Sequence, residues 1–483
     1  MTAPRAERLA LALLTLGAVV AWAAVPTYPN YDAYYHLVWG RDLLDGIAPG
    51  FETYAAPTQH PLYLALAALL SPAGEDADRL LVLVTVLSLV ALTGGAYALG
   101  RTLFGAWPGV LAALCVGSSF AFALYAVRAY VDVPFLALVV WAGVLEARRP
   151  RRGIAPMGVL AVAGLLRPEA WVLAGAYWLW CLPRRPARAR LGLLVLAAAA
   201  PVAWALVDLA VTGDPLFSVH ATSGLAEELG RERGLGNVPR AFVEYLADVT
   251  RPPVAAAGAL GIVLALRRFG TERMAVPLAL LGAGALTFVG TGILGLSILP
   301  RYLTVPAVAL CVLAGYGVMG FTTIEKSVWR ERWRRGAIAA LVLGAAFVGL
   351  RASSFDRLRD ELRFNERTHE QLAALLEDPR VVAGIQRGGL TFPTYRVVPD
   401  ARWILGVGGD RVAARTAGAG CGGIEVYVRG SRKEVTRFGE ADGVRRRTNR
   451  VPRGAVLIAR RGPYLAFAAS GDGCGVAAHP DAG

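Results

Sequence analysis

Through the first 350 residues, long apolar stretches alternate with short polar connections; after that the pattern changes. The apolar runs fall at 9–25, 80–99, 107–125, 133–145, 154–165, 170–182, 191–211, 254–266, 275–294, 302–321 and 337–350. A helix that crosses the hydrocarbon core of a bilayer needs about 20 predominantly apolar residues, so these runs predict about eleven spans. The first run follows Arg5 and Arg8 and reads as a span with its N-terminus inside. Ala21-Trp22-Ala23 also fits a small-x-small cleavage site, so a cleavable signal peptide is the alternative reading of that segment.

Basic clusters mark alternate connections. They comprise Arg148, Arg149, Arg151 and Arg152; Arg184, Arg185, Arg188 and Arg190; Arg267, Arg268 and Arg273; and Lys326, Arg330, Arg332, Arg334 and Arg335. Taken as cytoplasmic, they leave the segments 26–79, 128–132 and 212–251 outside, together with everything after Arg351. The run 61–70 is too short to cross, and counting it as a span would invert the basic clusters, so it is expected to be re-entrant or interfacial. The paired runs 154–165 and 170–182 are also short, and Arg167-Pro168-Glu169 interrupts them. A broken hydrophobic hairpin with charges at depth is expected to line a cavity.

From 355 to 377, leucines recur among arginines and glutamates at helical spacing. Short strand-like runs at 380–385 and 424–428 follow, separated by glycines. The expected architecture is an α-helical polytopic membrane domain over residues 1–350, with a small extracytoplasmic α/β domain over 351–483. No internal repeat or low-complexity tract is visible.

Composition agrees with this pattern. Of 483 residues, 55% are hydrophobic and 18% charged, and mean hydropathy is +0.47. Soluble domains carry about 25% charged residues, which excludes an ordinary cytosolic enzyme. The net charge of +14 could suggest a polyanion ligand, yet the excess is shared evenly on either side of residue 350, and the basic residues are Arg apart from Lys326 and Lys433. The five cysteines form no CxxC pair. Cys115, Cys181 and Cys311 lie in apolar runs as packing residues, whereas Cys421 and Cys474 lie in the polar tail, where an oxidising exterior would allow a disulfide.

Polar residues at the edges of membrane spans are costly, and here they converge on the external side. The first external loop opens with Tyr28-Pro29-Asn30-Tyr31-Asp32-Ala33-Tyr34-Tyr35-His36. A carboxylate among aromatic rings at the membrane surface suits general-base work; equally, the tyrosines could form an interfacial belt and Asp32 could cap a helix from Ala33 onward. His60, in Thr58-Gln59-His60-Pro61, could donate to a phosphate or be a satisfied loop histidine. Arg128 and Asp132 stand four apart and could pair with each other on a helix, while Asp132 would supply a second acid near Asp32. Arg167, Glu169, Arg301 and Tyr302 sit at outer span ends. Guanidinium groups match phosphate oxygens bidentately, and the alternative for each is snorkelling to the headgroups.

There is no GxxxxGKS, HExxH or Gly-x-Ser-x-Gly, and no GxGxxG followed by a strand-to-helix switch, so nucleotide use is unsupported. The run Arg445-Arg446-Arg447 suits a solvated face or anionic lipid, and no nucleic-acid partner is expected.

Asp32 just beyond the first span, a following Pro-Leu-Tyr segment, the Asp-x-Pro turn at Asp132, Leu166-Arg167-Pro168-Glu169 and Arg301-Tyr302 together resemble the GT-C glycosyltransferases. The likeness is to the glycosyltransferase family 39-like branch of protein O-mannosyltransferases and lipid A aminoarabinose transferases, over roughly the first 350 residues. It implies a sugar donor on a polyprenyl phosphate, a lipid, glycan or protein acceptor, and inverting transfer at the outer face of the cell membrane without metal or cofactor. Asp32 would be the catalytic base and Asp132 would position donor or acceptor. Arg167 and Arg301 would stabilise the leaving phosphate, with Tyr35, His36, His60, Arg128, Glu169 and Tyr302 contributing to substrate binding. Many relatives carry a second acid directly after the first, where this chain has Ala33. A multi-span transporter and a lipid-linked glycan ligase or polymerase are the competing readings; inverted repeats, which would favour the transporter, are not seen.

Overall fold

The structure is a computed structural model that describes residues 3–409, 411–418, 423–440 and 448–469. Its membrane part contains α1 (Ala3–Ala24), α2 (Tyr31–Leu44), α3 (Pro61–Leu70), α4 (Ala77–Phe104), α5 (Ala106–Gly117), α6 (Phe120–Val127), α7 (Asp132–Arg148) and α8 (Ile154–Gly164). These are followed by α9 (Glu169–Cys181), α10 (Ala187–Thr212), α11 (Phe217–Glu228), α12 (Val238–Thr250), α13 (Pro252–Arg273), α14 (Ala275–Ile293), α15 (Thr304–Met319) and α16 (Val328–Leu350).

Every expected apolar run is helical, though the helices differ in length. Among the described residues, seven helices are long and apolar enough to cross a membrane, or eight if α5 and α6, bent by 55°, form one span. The 11 residues of α8 and 13 of α9 give about 17 and 20 Å of helix against a hydrocarbon core of about 30 Å. The 10-residue α3 reaches about 15 Å and cannot cross alone. Leu191, Val195, Leu206, Leu286 and Leu343 are exposed on the outside of the bundle, as in a multi-pass membrane protein facing lipid.

Close packing depends on small residues. Helix α15 is buried from Thr304 to Val318 and crosses α13 so closely that a Cβ on Gly261 would lie 2.0 Å from the Leu313 carbonyl oxygen, and one on Gly317 2.3 Å from that of Ala257. Without a hydrophobic drive between helices in lipid, such backbone approach is what holds them. Gly40 does the same for α2 on α3, where a Cβ would meet the Ala68 nitrogen at 2.5 Å.

The basic clusters gather at one end of this bundle. Arg185 donates to the carbonyls of Arg151 and Arg152, Arg268 to that of Thr323 at 2.7 Å, and Arg273 to that of Leu103 at 2.9 Å. The opposite end carries Asp32, the α6–α7 turn and the α8–α9 turn.

After α16 come α17 (Ser353–Leu376), α18 (Pro379–Gly388), β1 (Leu390–Phe392), α19 (Val398–Leu405), β2 (Val412–Ala414), β3 (Ile424–Val428), β4 (Leu457–Arg461) and β5 (Tyr464–Ala468). The sheet order is β2-β1-β3-β5-β4. β1 runs parallel to β2 and β3, with α19 as the β1–β2 crossover, and β5 is antiparallel to β3 and β4. The run 380–385, expected as a strand, is instead helix α18. Asp378 caps it by accepting from the Arg380 N–H at 3.1 Å, Pro379 starts it, and Val381, Gly384 and Ile385 fall on one buried face. Arg445–Arg447, Cys421 and Cys474 lie outside the described residues.

This sheet assembly is clamped onto α2. Arg41 donates to the carbonyls of Trp403 at 3.4 Å and Val407 at 3.3 Å, and Tyr28 donates to Asp400 Oδ2 at 2.9 Å. His369 meets Asp400 Oδ1 at 2.7 Å and stacks on Tyr34 at 6.3 Å. Helix α17 carries too many charges to lie in hydrocarbon, so this latch is extramembranous. Burial alone would push the His369 imidazole down, but the carboxylates of Asp400 and Asp78 outweigh it and lift it to about 9. A group whose folded pKa exceeds its unfolded value of about 6.5 stabilises fully below that pH and loses the contribution as pH rises through the folded value. Thermal unfolding in detergent should therefore show a midpoint that falls between pH 6.5 and 9 in the native sequence and less steeply in His369→Gln; parallel profiles would refute the latch.

Candidate active site

The site is assembled from four turns at one end of the bundle. Asn30, not Asp32, caps α2: its Oδ1 accepts from the Ala33 N–H at 3.1 Å. Its Nδ2 donates to the carbonyls of Arg128 at 2.8 Å and Ala129 at 3.1 Å, tying the start of α2 to the α6–α7 turn. That turn holds Ala129 at φ 51°, a left-handed conformation uncommon outside glycine, and Tyr63 donates to its carbonyl at 2.6 Å. With capping done by Asn30, the carboxylate of Asp32 in the first turn is free for other work.

Asp32 Oδ2 accepts from Arg301 Nη1 at 2.9 Å, and both side chains keep about a quarter of their surface exposed, 26% and 24%. Arg301 also lies within electrostatic range of Asp132. Asp132, at the start of α7, is fully buried and paired with Arg167. Arg167 in turn meets Glu169 through Nε at 3.0 Å and Nη2 at 2.5 Å. Tyr302 lies beneath both guanidinium groups, 5.1 Å from Arg167 and 5.8 Å from Arg301. Arg128 does not pair with Asp132. It stacks over Tyr28 at 5.4 Å.

The histidines are equally specific in place. His36 Nδ1 lies 2.7 Å from the Asp32 carbonyl, and its Nε2 accepts from the His60 N–H at 3.2 Å, an arrangement that fixes a neutral tautomer with the proton on Nδ1. His60 stacks on His36 at 5.4 Å and meets the edge of Trp204 at 5.5 Å. Tyr35 points away from the acids into a cluster with Trp39, Phe51 and Leu64. Three buried polar atoms around this constellation, Asp132 Oδ2, Arg301 Nε and His60 Nδ1, have no hydrogen-bond partner. Buried groups in native structures are normally paired, and these three unpaired atoms border the partly exposed ion pair of Asp32 and Arg301.

The structure adds a support that the sequence reading missed. Asp208, buried in α10, accepts from Gln59 Nε2 at 3.1 Å, Ser218 Oγ at 2.9 Å and the Ser218 N–H at 3.0 Å, while Thr58 and Thr222 meet at 2.8 Å. This network fixes the segment that carries His60. An ionisable residue within the apolar run 191–211 was the available signal. Among the described residues, no group of three or more His, Cys, Asp or Glu is placed to hold a metal ion.

The triad Asp132–Arg167–Glu169 is structural in its energetics. Removing one partner of a buried ion pair leaves uncompensated charge and costs about 3–5 kcal/mol. Arg167→Met should therefore lower the thermal midpoint sharply, and adding Asp132→Asn and Glu169→Gln should restore part of it. A single variant that melts like the native protein would contradict this.

The sequence matches no family model and no curated protein. Solved structures are nonetheless similar. ArnT from Cupriavidus metallidurans in the apo state aligns with a TM-score of 0.57 at 13% identity over 96% of this chain and 98% of that one. The same protein bound to undecaprenyl phosphate aligns at 0.55 and 12% identity over 94% and 97%. The oligosaccharyltransferase of Archaeoglobus fulgidus, tethered to an acceptor peptide, aligns at 0.48 and 13% identity over 84% of this chain and 63% of that one. At this level of identity the likeness is one of fold, and the chain shares the fold of ArnT across nearly its whole length.

Proposed function

We propose that this chain is an integral-membrane glycosyltransferase that moves a hexosyl or pentosyl group from a polyprenyl-phosphate donor to an acceptor hydroxyl on a lipid, glycan or protein. The reaction takes place at the extracytoplasmic face and inverts the anomeric centre. The observation that carries this reading is the partly exposed pair of Asp32 and Arg301 at 2.9 Å, bordered by buried orphan atoms, within a fold whose solved example binds undecaprenyl phosphate. The positive-inside rule assigns the basic end of the bundle to the cytoplasm. The N-terminus then lies inside the cell membrane, and the site and the sheet domain lie outside.

Before donor binding, Arg301 and Asp32 are paired at 2.9 Å. The donor's phosphodiester competes for the guanidinium through bidentate contacts, which frees the Asp32 carboxylate to face the acceptor hydroxyl. Asp32 then removes the acceptor proton, the acceptor oxygen forms its bond to the anomeric carbon, and the bond from that carbon to the phosphate oxygen breaks. Polyprenyl phosphate leaves with its charge met by Arg301, so no general acid is required. Arg167 is already engaged by two carboxylates, which makes it an organiser of the site and leaves leaving-group stabilisation to Arg301. Asp132, through its free Oδ2, and His60, through its free Nδ1, contact donor or acceptor, while Tyr302 holds both arginines in place. His36, Arg128 and Tyr35 support the loop that presents Asp32.

The test is the product's anomeric configuration, determined by NMR after transfer from a donor of defined configuration. Inversion is expected; retention would require a covalent intermediate and would overturn the single-displacement scheme.

A further inference from the structure

At the end of the bundle opposite the Asp32–Arg301 pair, α7, α9 and α14 leave a groove of about 180 Å³ lined by Ala142, Gly143, Ala176, Tyr177, Trp180 and Ala279, among others. Helix α7 runs from Asp132 at the active site to Arg148, so the polar end of the groove, at Glu146, lies about 21 Å along the helix from Asp132. The polar end of the groove is a built structure. Glu146 is buried there and accepts from the Arg151 N–H at 2.7 Å, Tyr177 Oη at 2.8 Å and Trp180 Nε1 at 2.8 Å. The Arg151 guanidinium stacks on Trp180 at 4.1 Å, and Arg185 closes the loop by donating to the Arg152 carbonyl at 2.8 Å.

In the two loops that form this end, Arg148, Arg149 and Arg152 lie within six residues of Glu146, and Arg184 and Arg188 within three of Arg185, all exposed. Their guanidinium groups have no ion pair or hydrogen bond among the described residues, and the one carboxylate lining the groove, Glu146, is occupied by its three donors. An apolar slot whose polar end adjoins loops carrying exposed, unpaired guanidinium groups is complementary to a chain of methylenes ending in a phosphate. We propose that this groove is a binding site for an anionic phospholipid of the leaflet opposite the active site, with an acyl chain between α7 and α14 and the phosphate on the arginine rim. Each exposed guanidinium can bind two phosphate oxygens, and an anionic headgroup, which carries no cation of its own to offset the phosphate, is attracted more strongly than a zwitterionic one. The site is separate from the donor site and does not depend on the proposed reaction.

The full chain would be reconstituted in phosphatidylcholine vesicles containing acyl-brominated phosphatidylglycerol or, at equal mole fraction, acyl-brominated phosphatidylcholine. The fluorescence of Trp180 is isolated as the difference between the native protein and Trp180→Phe. Quenching should be several-fold stronger with phosphatidylglycerol, and Ala279→Phe, which fills the groove, should abolish the difference while melting like the native protein. Equal quenching by both lipids, or a preference that survives Ala279→Phe, would overturn the proposal. So would displacement of the brominated phosphatidylglycerol by stoichiometric undecaprenyl phosphate, which would assign the groove to a polyprenyl lipid. Native mass spectrometry of the unsubstituted protein reads the same question without tryptophan replacement: phosphatidylglycerol retained over phosphatidylcholine supports the site, and equal retention refutes it.

Discussion

Asp32→Asn is expected to lose about 10²- to 10⁴-fold in kcat, the usual contribution of a positioned general base, with no rise in donor KM. The amide keeps the size of the side chain and its place in the first turn of α2, where Asn30 does the capping, so the helix should remain. What disappears is the capacity to take a proton. Removal of the carboxylate also frees Arg301 from its 2.9 Å partner, which should leave donor affinity unchanged or improved. Steady-state kinetics with a defined donor and acceptor separates the two: a fall in kcat at constant or lower donor KM is the expected signature. A rise in donor KM at native kcat would instead make Asp32 a binding group.

Arg301→Gln should give the second large effect. Removing one group that meets charge developing on a leaving oxygen costs about 10²- to 10³-fold in kcat, and here the same group also meets the donor phosphate in the ground state, so undecaprenyl phosphate should inhibit the variant far less well than the native enzyme. Because Asp32 and Arg301 act on opposite ends of one displacement, the double variant should be no slower than the slower single variant within about tenfold, the non-additivity expected of residues acting as a unit. Multiplicative losses measured by initial rates would show that the two act independently.

The elements that the sequence disclosed are those whose signal is local. Apolar runs became helices because a chain in lipid must satisfy its backbone internally, and the acids and arginines at span ends stood out because such residues are costly there. Partner choice was not local. Arg128, four residues from Asp132, stacks on Tyr28, whereas the partner of Asp132 is Arg167, 35 residues away on another turn. Nothing in the spacing shows that Arg167 is saturated by two carboxylates while Arg301 keeps a free Nε, and this difference is what divides an organising arginine from one able to meet a phosphate. The identity of the α2 cap depended on backbone geometry at Asn30, and the role of His36 on the distant His60 N–H. The short run 380–385 has apolar positions that suit a strand or one face of a helix, and the Asp378 cap with Pro379 decides for the helix. The runs 107–125, 154–165 and 170–182 differ from the other apolar runs in form, because α8 and α9 are half-length helices meeting at Arg167-Pro168 and α5 and α6 bend at the two serines between them.

The most direct test of the central claim is a donor panel. Purified protein would be incubated with one sugar carried on polyprenyl monophosphate, on polyprenyl diphosphate or on a nucleoside diphosphate, with extracytoplasmic acceptors supplied in excess and the released carrier identified by mass spectrometry. The account predicts turnover of the monophosphate donor with one polyprenyl phosphate released per sugar transferred, and loss of that release in Asp32→Asn. Turnover of the nucleotide sugar in preference to the polyprenyl monophosphate, or native rates of carrier release in Asp32→Asn, would contradict it.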